Sequence, residues 1–239
     1  GGGARWLPVR KPALYAGDVL QTLMRAQGIV LKAPKVVARA PAGTALVAHQ
    51  SDELRVILRD MLRFSTNLTA EMVGMSATRA RTGKVTSLKA SAGEMSRWAA
   101  SALGAQGTRL VDHSGLGGDS KMTADGMVRA LVKVHETRGL RPILKPFAMR
   151  DAKRRVVQNH PIEVHAKTGT LNFVSGLAGY MTARDGSELA FAIFCADEKT
   201  RSRISKANRE APQGARSWNR RAKAMQQRLI ERWGVLYGS

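Results

Sequence analysis

The chain has 239 residues, 44% of them hydrophobic and 24% charged, which excludes a wholly disordered polymer and leaves enough apolar sequence for a substantial core. Its 39 Lys and Arg against 18 Asp and Glu give a formal charge of +21, a field that draws polyanions such as nucleic acid or an anionic cell envelope. A single cysteine, Cys195, excludes an internal disulfide, and no apolar run approaches the roughly 18–20 residues of a membrane span. The opening stretch "GGGARWLPVRKPALYAG" lacks both an initiating Met and the apolar centre of a signal peptide, so the sequence reads as beginning in mid-protein.

"AGDVLQTLMRAQG" places Val19, Leu20, Leu23 and Met24 at helical spacing and stops at Gly28, which predicts a first helix. Residues 29–50, punctuated by proline, are expected to be extended strands and turns. Ser51, Asp52 and Glu53 open a second helix with Leu54, Ile57, Leu58 and Met61 on one face; it ends near Phe64, and a third starts within "STNLTAEMVGMSA". Ser65 to Asn67 form the turn between them. Residues 87–105 read as a fourth helix. "TRLVDHSGLGGDSKMT" reads as a short strand and a Gly-rich loop, and Thr123 as the cap of a helix whose inward face is Met127, Ala130, Leu131 and Val134. Then the pattern changes. "IEVHAKTGT", "FVSGLAGYMT" and "ELAFAIFCA" are β-branched or Gly-punctuated runs, the last two joined by the hairpin signal "ARDGS". A closing helix puts Trp218, Met225, Leu229 and Trp233 on one stripe. Helices first, then an antiparallel sheet, then a helix that packs back on it make an α+β fold.

Two short motifs carry chemistry. "STN" at Ser65, Thr66 and Asn67 is a Ser-x-Asn in an interhelical turn, and "KTG" at Lys167, Thr168 and Gly169 leads into a hairpin strand 100 residues after Asn67. Together with Ser-x-x-Lys, these motifs form the signature set of β-lactamases and penicillin-binding proteins. The surrounding words "FSTNLTAEMVG", "LVDHSGLGGDSKMTADGMVRAL" and "AKTGTLNFVSGLAGYM" resemble the C-terminal half of the D-alanyl-D-alanine carboxypeptidase/endopeptidase family, the class C low-molecular-weight penicillin-binding proteins. The resemblance runs from about Tyr15 to Trp233. It implies a β-lactamase/transpeptidase-like fold, with a helical cluster beside a helix-flanked antiparallel sheet and the active site in the groove between them. It also implies a periplasmic, penicillin-binding serine-type carboxypeptidase or endopeptidase that acts on peptidoglycan peptides ending in D-Ala-D-Ala through an acyl-enzyme.

A substrate ending in a carboxylate needs a cation and a hydroxyl donor at fixed spacing, which Lys167 and Thr168 supply. Gly169, without a side chain, lets an extended peptide lie along the strand edge. By resemblance, the Thr170 N–H contributes to an oxyanion hole, Ser65 relays a proton to the leaving amine, and Asn67 holds the substrate amide and orients the base lysine. Thr66 stands where the family usually has Asp. The catalytic set expected in this chain is therefore Ser65, Asn67 and Lys167, and the substrate-binding set Thr168, Gly169 and Thr170.

No Ser-x-x-Lys occurs in the 239 residues; "TSLK" at Thr86 imitates it but follows Ser-x-Asn, whereas the family's nucleophile precedes it. The expectation is a C-terminal part of the penicillin-binding domain covering 1–239, inactive alone, in which residues 1–50 return from a missing upstream region, so the fold is incomplete at its N-terminus. The alternative is a non-catalytic peptidoglycan-binding module. No cofactor, metal site, specific nucleic-acid partner or transmembrane segment is expected. Asp112, His113, Ser114 and Asp119 read as a shaped loop, which by resemblance borders the groove; His160 and His165 match no zinc-ligand spacing, and His49 and His135 stand alone. From Lys199 to Arg232, 11 basic residues face only Glu210 and Glu231, a segment suited to anionic envelope polymers.

Overall fold

The three β-branched or Gly-punctuated runs form the centre of the molecule's sheet in a computed structural model, which describes residues 9–39, 42–137, 139–151, 153, 155–205 and 210–238. Strands β2 (Glu163–Leu171), β3 (Val174–Thr182) and β4 (Glu188–Ala196) pair antiparallel in sequence order. A two-residue β1 (Lys145–Pro146) sits at the outer edge of β2, paired with Ala166 and His165 only. The "ARDGS" turn closes β3 on β4 as expected, with the Ala183 N–H donating to Ser187 O at 2.9 Å and Gly186 at φ +90°.

Alternation along these strands gives the sheet two faces. Val164, Ala166, Leu177, Met181, Phe191 and Ile193 form one, packed with Met149 and with Ile230 of α7 (Ala215–Leu236). Tyr180, with Ala178 and Ala190, forms the other, packed on Leu131 of α5 (Ala124–His135), on Leu144, and on Leu62 of α2 (Leu54–Phe64). Tyr180 Oη donates to Leu131 O at 2.7 Å, which satisfies the one polar atom it carries into that layer.

The helices start where the sequence caps them. Ser87 accepts from Ala90 N–H at the head of α4 (Leu88–Leu103), and Thr123 accepts from Gly126 N–H at the head of α5. Helix α3 (Asn67–Thr82) runs from the Ser-x-Asn turn, and a single turn, α6 (Glu198–Ser202), follows β4. Of α5's expected inward face, Ala130 and Leu131 are buried and Met127 packs beside Leu131.

Several expectations are corrected. The buried stripe of α7 is Ala215, Ala222, Gln226, Ile230 and Gly234; Trp218, Leu229 and Trp233 flank it half-buried, and Met225 is 46% exposed. Close approach to the sheet selects small side chains at the centre: a Cβ on Gly234 would stand 2.4 Å from Ile162 Cδ1. In α2, Leu54 is exposed, Leu62 enters the core, and Glu53 is the N-cap rather than a first-turn residue. The strand expected in "TRLVDHSG" is reduced to one bridge, Arg109 with Lys121.

The chain divides into two compact units, Gly1–Ser51 and Asp52–Ser239; all of the above concerns the second. In the first, α1 (Pro12–Ala26) is followed by residues without strand pairing, against the expectation of strands there. They fold back on the helix, where Gln21 Nε2 donates to Leu31 O at 2.9 Å and Gly17 lies so near Pro34 that an added Cβ would be 2.5 Å from its ring. The opening glycines, Pro41, Lys206 and Arg209 lie outside the described residues.

Candidate active site

Helix α2 ends at Ser65, which takes the left-handed conformation (φ 56°, ψ 48°) that lets the chain reverse into α3. Glycine adopts this conformation without steric cost, and a serine there carries strain. Thr66 is extended and caps α3 by position, without a side-chain hydrogen bond, and Asn67 is the first helical residue. The turn is exposed, and exposed Phe64, Leu68 and Met72 surround it.

Across from it, β2 presents Lys167. The strand's register sets Lys167 opposite Ala178, on the face that carries Tyr180 and meets α5 and α2. Lys167 Nζ donates to Ser65 Oγ at 2.6 Å and to Thr168 O at 2.6 Å. The two motifs, 102 positions apart between these side chains, therefore meet through one hydrogen bond. Partial burial lowers the Lys167 pKa from its ordinary value of 10.5, because the ammonium loses hydration without a carboxylate to replace it. Such an ammonium gives up its proton more readily than a solvated lysine.

The remaining site residues line the edge rather than the hydrogen bond. Because β1 ends at the partner of Ala166, the outer side of β2 from Lys167 to Leu171 has no strand beside it among the described residues. Thr168 and Thr170 pair with Leu177 and Ser175, so alternation turns them to the face opposite Lys167, exposed at the edge. Gly169 is also exposed, and an added Cβ would meet nothing within 4 Å, so the edge there is open. Among the described residues no hydrogen bond from the side chain of Asn67, Thr168 or Thr170 reaches the Ser65–Lys167 pair; Thr168 meets it through its backbone carbonyl alone.

The Gly-rich loop is held to α3 by a residue the motif reading passed over. Glu71, one turn beyond Asn67, accepts from the His113 N–H at 3.0 Å and the Ser114 N–H at 3.1 Å. Its position four residues after Asn67 in "STNLTAE", on the same helical face, is the signal for it. Asp112 is buried and shapes the loop from inside, accepting from Gly115 and Gly117 N–H groups and from Ser120 Oγ. His113 turns inward, with Nε2 2.8 Å from the buried Ser91 Oγ, and its ring fills the space a Cβ on Gly74 would occupy, 2.1 Å from Cγ. Burial lowers its pKa from the ordinary 6.5, against the pull of Glu71 and Asp112. These groups are structural, and among the described residues no three His, Cys, Asp or Glu side chains gather as a metal site. Thr86 belongs to the segment that caps α4, not to this groove.

The chain is 29% identical over 204 residues to a carboxypeptidase, DacB, of Mycolicibacterium smegmatis, covering 77% of this chain and 42% of that one. It is 28% identical over 235 residues to a D-alanyl-D-alanine carboxypeptidase of an Actinomadura species, covering 87% and 43%. It thus spans about two fifths of the length of these curated relatives. A crystal structure of penicillin-binding protein 4 from Haemophilus influenzae, complexed with a β-lactam, superposes with a TM-score of 0.62 at 21% identity, covering 80% of this chain and 46% of that one. That likeness establishes the penicillin-binding, transpeptidase-like fold. The model of the D-Ala-D-Ala carboxypeptidase 3 (S13) family matches residues 3–219, and the chain belongs to that family.

Proposed function

We propose that the turn Ser65–Asn67 and the open edge of β2 form two walls of a groove that receives a peptidoglycan stem peptide ending in D-Ala-D-Ala. The activity served is that of a serine-type D-Ala-D-Ala carboxypeptidase/endopeptidase, acylated by penicillins. The observation that carries this reading is the 2.6 Å hydrogen bond between Lys167 Nζ and Ser65 Oγ.

An extended substrate adds as a strand beside Lys167–Leu171, with Gly169 leaving its backbone room. The Lys167 ammonium takes the terminal carboxylate, joined around the open edge by the Thr168 hydroxyl from the strand's other face. In acyl transfer a serine attacks the penultimate carbonyl, the Thr170 N–H steadies the oxyanion, and the peptide C–N bond breaks as the leaving D-Ala nitrogen gains a proton through Ser65, with Lys167 behind it. Asn67 holds the substrate amide. Water then hydrolyses the acyl-enzyme. The attack is assigned to no residue of this chain, because its sequence holds no Ser-x-x-Lys. That same observation favours the second reading, a peptidoglycan-binding module without turnover. Either reading puts the protein outside the cytoplasm, and in an organism with an outer membrane in the periplasm. Among the described residues no helix is long and apolar enough to cross a membrane.

Titration of the 239-residue chain with an acylated D-Ala-D-Ala peptide tests the groove. Binding is expected to weaken roughly ten- to a hundredfold on Lys167→Ala, the loss of a charged hydrogen bond, and similarly when the peptide's carboxylate is amidated. Equal affinity for the variant sinks the carboxylate role. Labelled penicillin addresses the attack: a stable adduct on a serine of this chain overturns its assignment to a residue elsewhere.

A further inference from the structure

The outer face of α7 carries unpaired cations and apolar side chains in one row. Arg221, Met225, Arg228, Arg232 and Val235 follow one another at i, i+4, i+7, i+11 and i+14, which keeps all five on one side of a helix, away from the buried Ala222, Gln226, Ile230 and Gly234. All five are exposed. Some exposed cations elsewhere are matched by a nearby acid, Arg129 with Asp125 at 2.8 Å, Lys133 with Glu136 at 2.7 Å, Arg155 with Asp151 at 2.8 Å, while others, such as Arg79, Lys89 and Arg109, stand singly among the described residues. Among the described residues Arg221, Arg228 and Arg232 have no carboxylate within 4.0 Å, and the helix's only acid, Glu231, is engaged by Gln227 at 3.0 Å. The nearby Arg216, Arg220 and Lys223 are also exposed. Apolar side chains stand among these charges: Met225 is 46% exposed and Val235 74%, and the helix runs out through Leu236 at 50% and Tyr237 at 61%. Asp185, an acid near that end, has its carboxylate taken by Ser187.

We propose that this face of α7 docks on an anionic phospholipid bilayer. A row of unpaired guanidinium groups meets phosphate headgroups, and the interleaved Met225 and Val235, with Leu236 and Tyr237 at the end, enter the headgroup–acyl boundary. A dissolved polyanion answers the charges but leaves those apolar side chains in water, which is why the bilayer is the better partner. The inference is independent of the groove, since none of these residues belongs to it.

Co-sedimentation of the 239-residue chain with mixed phosphatidylglycerol–phosphatidylcholine vesicles tests it. The chain is expected to partition onto these vesicles and not onto pure phosphatidylcholine. The triple variant Arg221→Gln, Arg228→Gln, Arg232→Gln lowers partitioning roughly 100-fold. The pair Met225→Ser and Val235→Ser lowers it without altering charge. A charge-matched triple at exposed cations elsewhere, Arg79→Gln, Lys89→Gln and Arg109→Gln, lowers it far less. An equal loss for the two triples overturns the proposal, because the net charge of +21 then suffices. So does equal binding to pure phosphatidylcholine. Retention by polyphosphate or duplex DNA as strong as by vesicles, with no effect of the serine pair, assigns the face to a soluble polyanion and also overturns it. Circular dichroism of each variant separates loss of binding from loss of fold.

Discussion

Ser65 holds a backbone conformation that glycine would adopt more cheaply, and its hydroxyl is the atom that meets Lys167. The strain and the contact coincide at one residue, as expected where a turn serves a site rather than only a fold. His113 makes the contrasting case of a titratable group put to structural use. Its folded pKa is depressed by burial, so between that value and 6.5 the unfolded chain binds a proton that the folded one refuses. The stability carried by the neutral ring is therefore complete above pH of about 6.5 and is lost as pH falls below it. Denaturant unfolding at a series of pH values is expected to show the wild type losing stability more steeply from about pH 7 to about pH 5 than His113→Gln. Identical slopes would show that the folded imidazole takes up a proton as readily as the unfolded one.

The elements that carry the site depend on close approach. Strand β3 lies so near β2 that a Cβ on Gly179 would stand 2.2 Å from His165 O and 2.7 Å from Ala166 Cα, one residue before Lys167. Backbone atoms cannot yield as a side-chain tip does, so Gly179→Ala is expected to cost about 1–3 kcal/mol and to disturb the Lys167–Ser65 contact. A shifted denaturation midpoint together with weakened peptide binding checks this; wild-type stability would show that the strands have slack. Helix α7 shows the same logic from the other side of the sheet. Ile230, fully buried against Met181 and Phe191, is expected to cost about 2–5 kcal/mol on change to Ala. Gln226 explains why the buried stripe differs from the hydrophobic one. It is 3% exposed, and its Nε2 donates to Ser175 O at 3.0 Å while its Oε1 accepts from Ser175 Oγ at 3.2 Å. A pattern of hydrophobic residues cannot reveal a glutamine buried because a strand offers it partners, nor a glycine buried because a helix must come close.

At the scale of the molecule the charge dominates. A formal +21 on 239 residues repels itself, and the exposed ion pairs that screening would weaken are each worth little. Raising ionic strength from about 0.01 M to about 0.15 M shortens the Debye length from about 30 Å to about 8 Å, and the melting temperature is expected to rise with it. A fall would mean that local pairs such as Lys121–Glu198 outweigh the collective repulsion.

The sequence by itself determined the long helices, the three strands and their hairpin, the cap at Thr123, and the two motifs, because each rests on local period or turn chemistry. Only the tertiary structure decided that Ser65 and Lys167 touch, that β2 is open just where β1 ends, that Glu71 clasps the loop, and which stripe of α7 is buried. Those depend on register and on the distance between backbones, which pairing across the chain sets and no local run of residues encodes.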